Sequence, residues 1–319
     1  MKPLAHGGDL GDVARRFADA PQPWIDLSTG INPVPYPVSA LPETAWTRLP
    51  SRAAEEALQD AAMERYGAAR RSMVVAAPGT QALIQLLPKL LPPGKVVIVG
   101  PTYEEHQACW SRAGHEVQVV PALQDSDVVV LVNPNNPTGR LYSPTELSRI
   151  TGFLVVDEAF IDFLPREMSF CGRLPDNAVV LRSFGKTYGL AGLRLGFAIA
   201  HPDRAARIRA ELGPWAVSGA ALEIGRRALL DGGWLHAARE RLVVDSNRLD
   251  GLLRAVGFEI AGGTALFRMA RHPRAATFVH RLAAQGIHVR AFAQAPDQLR
   301  FGLPGDDAAF LRLAAALGV

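Results

Sequence analysis

Cysteine is nearly missing from this chain. Its 319 residues include two, Cys109 and Cys171, with no Cys-x-x-Cys pair and no histidine at metal-ligand spacing. That excludes a disulfide framework and a structural zinc, and both cysteines read as buried apolar filler in a reducing compartment. Long uncharged apolar runs are missing as well. None approaches the roughly 18 residues that a membrane span requires. The opening Met1-Lys-Pro-Leu-Ala-His6 runs into Gly7-Gly8-Asp9 without the apolar core of a signal peptide. A soluble, cytoplasmic protein is therefore expected. Nor is charge of one sign concentrated anywhere: 34 Lys and Arg stand against 31 Asp and Glu, a net +3 without long runs. So mild an excess points to small anionic ligands and away from nucleic acid. What the chain has in quantity is apolar residues, 48% of the total, enough to bury a large core in two domains or in one with a substantial lobe.

Taken in order, the residue pattern alternates short apolar strands with helices, the signature of an α/β fold. Residues 1–22 read as an arm with a helical piece at 10–18, followed by a brief strand and the loop Ser28-Thr-Gly-Ile-Asn-Pro33. A helix over 51–66 precedes a strand at 73–77, after which Pro78-Gly79-Thr80-Gln81 opens the helix 82–91. Strand, glycine turn and helix together form an arrangement in which backbone N–H groups can receive a phosphate, although Thr80 also reads as an ordinary N-cap. The buried strand 96–99 ends in Gly100-Pro-Thr-Tyr103, placing an aromatic ring at a strand tip, where it can stack on a flat ligand or simply pack a loop.

A helix over 104–113 precedes two strands, 116–120 and 127–132. The gap between them is too short for a helical crossover, so a hairpin or an unusually tight connection is expected. The second strand runs into Asn133-Pro-Asn-Asn-Pro-Thr-Gly139, a rigid loop whose amides can donate to a ligand oxygen. Asp157 then ends another buried strand, where a carboxylate demands a cationic partner. Its neighbour Glu158 reads as an ordinary loop acid.

Lys186 sits in Ser183-Phe-Gly-Lys-Thr-Tyr-Gly-Leu-Ala-Gly-Leu-Arg194, a glycine-rich stretch beyond an apolar strand. A partly desolvated lysine near other cations is suited to forming a Schiff base with an aldehyde. Ser183 and Arg194 can hold an anion beside it. Further on, a helical region spans 202–255. Strands are expected at 264–268, 287–290 and 300–303, with a last helix at 307–317. Arg290 and Arg300 fall at or near strand edges. The histidines at 106, 115, 201, 272 and 280 suggest no role.

The order of these motifs resembles that of the aspartate-aminotransferase-like, fold type I pyridoxal-phosphate enzymes over nearly the whole chain. That resemblance implies an α/β protein with a mostly parallel mixed sheet in a large cofactor-binding domain (23–205) and a small α+β C-terminal domain (206–319), acting as a homodimer. It implies that Lys186 carries pyridoxal 5'-phosphate, Asp157 pairs with the ring nitrogen, Asn136 donates to the ring 3-oxygen and Tyr103 stacks on the ring. Gly79, Thr80, Ser183 and Arg194 would hold its phosphate. Two positions depart from the wider family: Phe160 stands where many relatives have tyrosine, and Leu49 replaces the tyrosine of an Arg-Tyr-Pro motif.

Within the fold, Ala5-His-Gly-Gly8, the loop 28–33, the stretch 157–165 and Pro214-Trp-Ala-Val-Ser218 look like those of threonine-phosphate decarboxylases of cobalamin biosynthesis. Histidinol-phosphate aminotransferases are the nearest alternative. By that resemblance a small phosphorylated amino acid is the substrate, with His6 and Asn32 contacting it, Arg290 holding its phosphate and Arg300 its carboxylate. A cofactor-binding regulatory protein without turnover is the third class of function open at this point.

Overall fold

The computed structural model describes residues 7–319. Among them the strands in chain order are β1 (Ile25–Leu27), β2 (Val74–Ala77), β3 (Lys95–Val99), β4 (Glu116–Val120), β5 (Val128–Val132), β6 (Phe153–Asp157), β7 (Ala178–Ser183), β8 (Gly196–Ala200), β9 (Glu259–Thr264), β10 (Phe267–Arg271), β11 (Ile287–Phe292) and β12 (Ala295–Gly302). They form two sheets, which lie in two compact units. One unit comprises residues 35–136 and 140–235; the other comprises the described residues up to Val34 together with 137–139 and 236–319.

In the first unit the strand order is β2-β8-β7-β6-β5-β3-β4. Every neighbouring pair is parallel except those made by β8, which is antiparallel to both β2 and β7. Successive side chains of a strand point to opposite faces, and here both faces are buried. Val129, Leu131, Leu154, Val156 and Val180 enter one core with the helices Arg52–Tyr66 and Gly219–Leu230. Val128, Val130, Val155, Val179 and Leu181 enter the other. This is why these strands read as unbroken apolar runs.

The expected hairpin of the strands at 116–120 and 127–132 does not form. β4 and β5 flank β3, and both are parallel to it. The tight connection is what the chain adopts instead. The seven residues 121–127 can reach at most roughly 23–25 Å, enough to recross a five-residue strand of roughly 16 Å.

The helices Pro202–Leu212 and Gly219–Leu230 belong to this first unit, past the expected boundary at 205/206. Small residues explain the attachment. Ala220, Ala221, Gly225 and Ala228 are buried on the second helix, and a Cβ on Gly225 would lie 2.5 Å from a Leu195 methyl, so this helix packs close against its own unit.

The second unit carries the sheet β1-β11-β12-β10-β9. β1 pairs parallel with β11, and the remaining pairs are antiparallel. The single strand expected at 264–268 is instead the end of β9, a turn at 265–266 and the start of β10, the tip of a hairpin. The Thr264 hydroxyl accepts from the Leu266 N–H at 3.1 Å, a local bond that favours a turn over continued strand. Among the described residues no helix is long and apolar enough to cross a membrane.

Candidate active site

Because β8 runs against its neighbours, its amino end shares one edge of the sheet with the carboxyl ends of β2, β3, β5, β6 and β7. Open α/β sheets bind ligands at that edge. All eight residues that the sequence assigned to the cofactor lie on the strand ends or following loops there: Gly79 and Thr80 after β2, Tyr103 after β3, Asn136 after β5, Asp157 at the end of β6, Ser183 and Lys186 at and after β7, and Arg194 before β8.

β7 ends at Ser183, and a single helical turn, Phe184–Thr187, lifts Lys186 off the sheet. The turn is pressed against the following loop: a Cβ on Gly185 would lie 2.8 Å from the Ala191 Cα. Lys186 Nζ is 5.2 Å from the centroid of the Phe160 ring. Phe160 thus offers the amine a π face and no hydroxyl.

Asp157 is buried, and its partners are visible. Oδ1 accepts from the Ala159 N–H at 3.1 Å, and His106 Nε2 lies 3.1 Å from Oδ2. An ionised carboxylate only accepts, so Nε2 carries the hydrogen. The imidazole stands edge-on to Tyr103, 6.1 Å between centroids at 86°. The Tyr103 hydroxyl donates to Gln81 Oε1 at 3.2 Å, and the Gln81 amide donates to Glu105 at 2.9 Å. Burial, followed by the charges of Glu105 and Asp157, pushes the Tyr103 phenol up to about 12. It stays neutral, with its ring as its useful face.

His106 was given no role by the sequence reading. The signal was its spacing: three residues after Tyr103, on the first turn of the helix Glu104–Arg112, a histidine falls on the same face as the tyrosine.

Two of the three asparagines in the loop after β5 hold the loop itself. Asn133 exchanges two hydrogen bonds with the Tyr142 backbone, at 2.9 and 2.8 Å. Asn135 donates to Pro101 O and accepts from the Thr102 hydroxyl.

The residues expected to hold a phosphate come together by strand register. Gly196, the first residue of β8, pairs with Ala77 on one side and Ser183 on the other. Gly79 has φ +83°, and a Cβ there would lie 2.7 Å from Arg194 Nη2. The positive φ favours glycine here, and the guanidinium lies directly beside it. Arg194 itself has φ 53°, sparsely populated for a non-glycine residue. A hydroxyl, a guanidinium and a glycine turn converging at the sheet edge suit a phosphate monoester. Beside them stand a lysine, a buried carboxylate and an aromatic face. The set fits pyridoxal 5'-phosphate.

In the second unit, Arg290 and Arg300 are directly opposite one another across β11 and β12. Arg300 is buried and donates to Ser28 O at 2.6 Å. Burial, with the neighbouring Arg290 charge, brings its pKa down to about 10, so it remains a cation at neutral pH. Asn32 is buried, and its Oδ1 accepts from Arg241 Nη2 at 2.7 Å and from the Val34 N–H at 3.2 Å. Arg241, on the long helix Gly232–Ala255, carried no signal in the sequence. His6 lies outside the described residues.

The sequence model of the family described as aminotransferase class I and II matches residues 22–317. The chain belongs to this family. Among its curated relatives, the threonine-phosphate decarboxylase of Pseudomonas aeruginosa is 45% identical over 98% of this chain and 97% of its own length. A protein of the same name from a Sinorhizobium species is 43% identical, covering 99% and 98%. Among solved structures, the histidinol-phosphate aminotransferase of Sinorhizobium meliloti, in complex with pyridoxal-5'-phosphate, superposes with a TM-score of 0.81 at 22% identity over 99% of this chain and 94% of that one. At that identity the likeness is one of fold. The aminotransferase class I and II fold accounts for the sheet order, for the ligand edge and for the second sheet.

Proposed function

We propose that this protein is a pyridoxal-5'-phosphate-dependent carboxy-lyase that converts L-threonine O-3-phosphate to (R)-1-amino-2-propanol O-2-phosphate and CO₂ for cobalamin biosynthesis. Its near-full-length identity with the two threonine-phosphate decarboxylases carries this reading. The charges agree with it: the substrate brings a phosphate and a carboxylate, and Arg290 and Arg300 present two guanidiniums in cross-strand register.

When bound, pyridoxal 5'-phosphate supplies a ring that accepts the electron pair freed as a bond at the substrate Cα breaks. Gly79, Thr80, Ser183 and Arg194 would hold its phosphate, Tyr103 would cover the ring, and Asn136 would donate to the 3-oxygen. Asp157, fixed by His106 and the Ala159 N–H, keeps a negative charge where the ring nitrogen needs its proton. Lys186 would be the attachment point, and its amine or a water would supply the proton that Cα takes up once CO₂ has left. Arg290 and His6 take the substrate phosphate, Arg300 the carboxylate, and Asn32 a further contact. Through their grip on the phosphate these residues select which bond at Cα breaks. The protein acts in this reading as a cytoplasmic homodimer, for which the 68% exposed side chains of Trp46 and Leu49 offer apolar surface.

The deciding experiment supplies the cofactor-loaded protein with L-threonine O-3-phosphate and no 2-oxo acid, and follows CO₂ over many turnovers. Sustained release with stoichiometric aminopropanol phosphate is the expected result. A strict requirement for a 2-oxo acid, with amino transfer from histidinol phosphate, would overturn it in favour of an aminotransferase. In the same assay His106→Phe, which keeps a ring but removes the donor to Asp157, is expected to lower kcat about 10- to 100-fold, the worth of one buried charged hydrogen bond.

A further inference from the structure

Beneath the ligand edge runs a chain of buried polar groups that this reaction does not use. Arg182 is the one charged residue of β7, and it is buried. One arm of its guanidinium donates to Glu158 Oε2 at 2.9 Å and to the Ser169 hydroxyl at 3.0 Å. The other arm is ion-paired with Asp162. The second oxygen of Asp162 accepts from the Thr187 hydroxyl. Glu158 is bound further by the Ser169 hydroxyl and the Phe170 N–H, each at 2.6 Å, and the face of the guanidinium lies 4.3 Å from the Tyr66 ring centroid.

The two ends of this chain are what make it informative. Glu158 follows Asp157, and Thr187 follows Lys186. The carboxylate that faces the ring nitrogen and the amine that carries the cofactor thus stand on backbone whose next residue is bolted to the other through Arg182 and Asp162. Buried ion pairs are a poor means of stabilising a fold, since apolar groups of like volume often do as well or better. What they supply that apolar packing does not is direction.

We propose that Asp162 and Thr187 are positioning residues: through Arg182 and Glu158 they lock the turn that bears Lys186 to the strand end that bears Asp157. The inference rests on the pyridoxal-phosphate reading of Lys186 and Asp157. Thr187 is 1% exposed, and valine is nearly isosteric with it, so Thr187→Val removes the tether with little change of packing, and Thr187→Ser keeps it.

The test uses the cofactor-loaded full chain and reads three things: circular dichroism of the bound cofactor in the visible, kcat and KM for CO₂ release, and thermal melting. Thr187→Val is expected to weaken the visible dichroism and to lower kcat about five- to tenfold with KM unmoved, as for the loss of one hydrogen bond that matters only to the reacting geometry. Thr187→Ser is expected to restore both, and Asp162→Asn to repeat the pattern of Thr187→Val. Wild-type dichroism and kcat in Thr187→Val and Asp162→Asn, whether or not their melting temperatures fall, would overturn the proposal by reducing the chain to a structural role. A wild-type protein that shows no visible band with pyridoxal 5'-phosphate would instead remove the cofactor reading beneath it, a failure seen before any variant is made.

Discussion

Replacing Lys186 by alanine is expected to abolish the covalent attachment of pyridoxal 5'-phosphate and to slow CO₂ release by about 10²- to 10⁴-fold, the range associated with the loss of a positioned proton-transfer group. The side chain has two duties in this reading, attachment and proton delivery, and both depend on the one amine held 5.2 Å from the Phe160 ring centroid. Folding should be nearly unaffected, because Lys186 sits on a turn beyond the sheet and packs no core. The measurement is the visible absorbance of the dialysed, cofactor-loaded variant together with single-turnover CO₂ release. Retention of a dialysis-resistant band at wild-type intensity would show that the aldehyde is held elsewhere. Lys186→Arg keeps the charge but offers no amine of comparable nucleophilicity, so it should behave like alanine.

The second large effect is on stability. Arg182→Met is expected to cost about 3–5 kcal/mol, since it strands two buried carboxylates without their cation. For a unit of this size that corresponds to a melting temperature lower by roughly 10 °C. Burial works against the charge of Arg182, yet Asp162, Cys171 and Glu158 beside it more than offset this and raise its pKa. Burial likewise holds the Glu158 carboxyl above its ordinary value, with Arg182 the leading group that pulls it down. Without the arginine the folded-state pKa of Glu158 rises further. A carboxyl raised in the folded state favours folding below its unfolded pKa and loses that contribution as pH rises through the folded value. The deficit of Arg182→Met is therefore largest at neutral pH and shrinks toward pH 5, which melting curves across that range would show. A deficit that grew on acidification would contradict the buried pairing.

Much of this architecture was legible because strands buried on both faces have no polar alternation to blur them. β5, β6 and β7 announce themselves as Val and Leu runs, and each carries a residue with an obvious chemical use at its end or within the next four positions, Asn136, Asp157 and Lys186. The same reasoning faltered where pairing is decided by space and not by the local pattern. Nothing in residues 116–132 states that β3 will lie between two strands consecutive in the chain. The hairpin of β9 and β10 was hidden because Gly262 and Gly263 break the apolar alternation of the first strand. Among side chains, those expected to meet a ligand carry motifs, whereas the ones packed behind them carry none. His106 and Arg241 reach their partners across 51 and 209 residues of sequence. Arg182 did leave a trace, as a lone charge in an apolar strand, and Glu158 left a weaker one in its position beside Asp157.

The register of β11 and β12 sets two guanidiniums opposite each other on a small sheet, and like charges so placed repel. An anion between them would relieve that repulsion. Binding and folding are then thermodynamically linked in this part of the molecule: a ligand that prefers the folded sheet adds RT ln(1 + [L]/Kd) to its stability. A substrate whose phosphate and carboxylate met these two guanidiniums, as proposed, would therefore add to the stability of the second unit as well as occupy it.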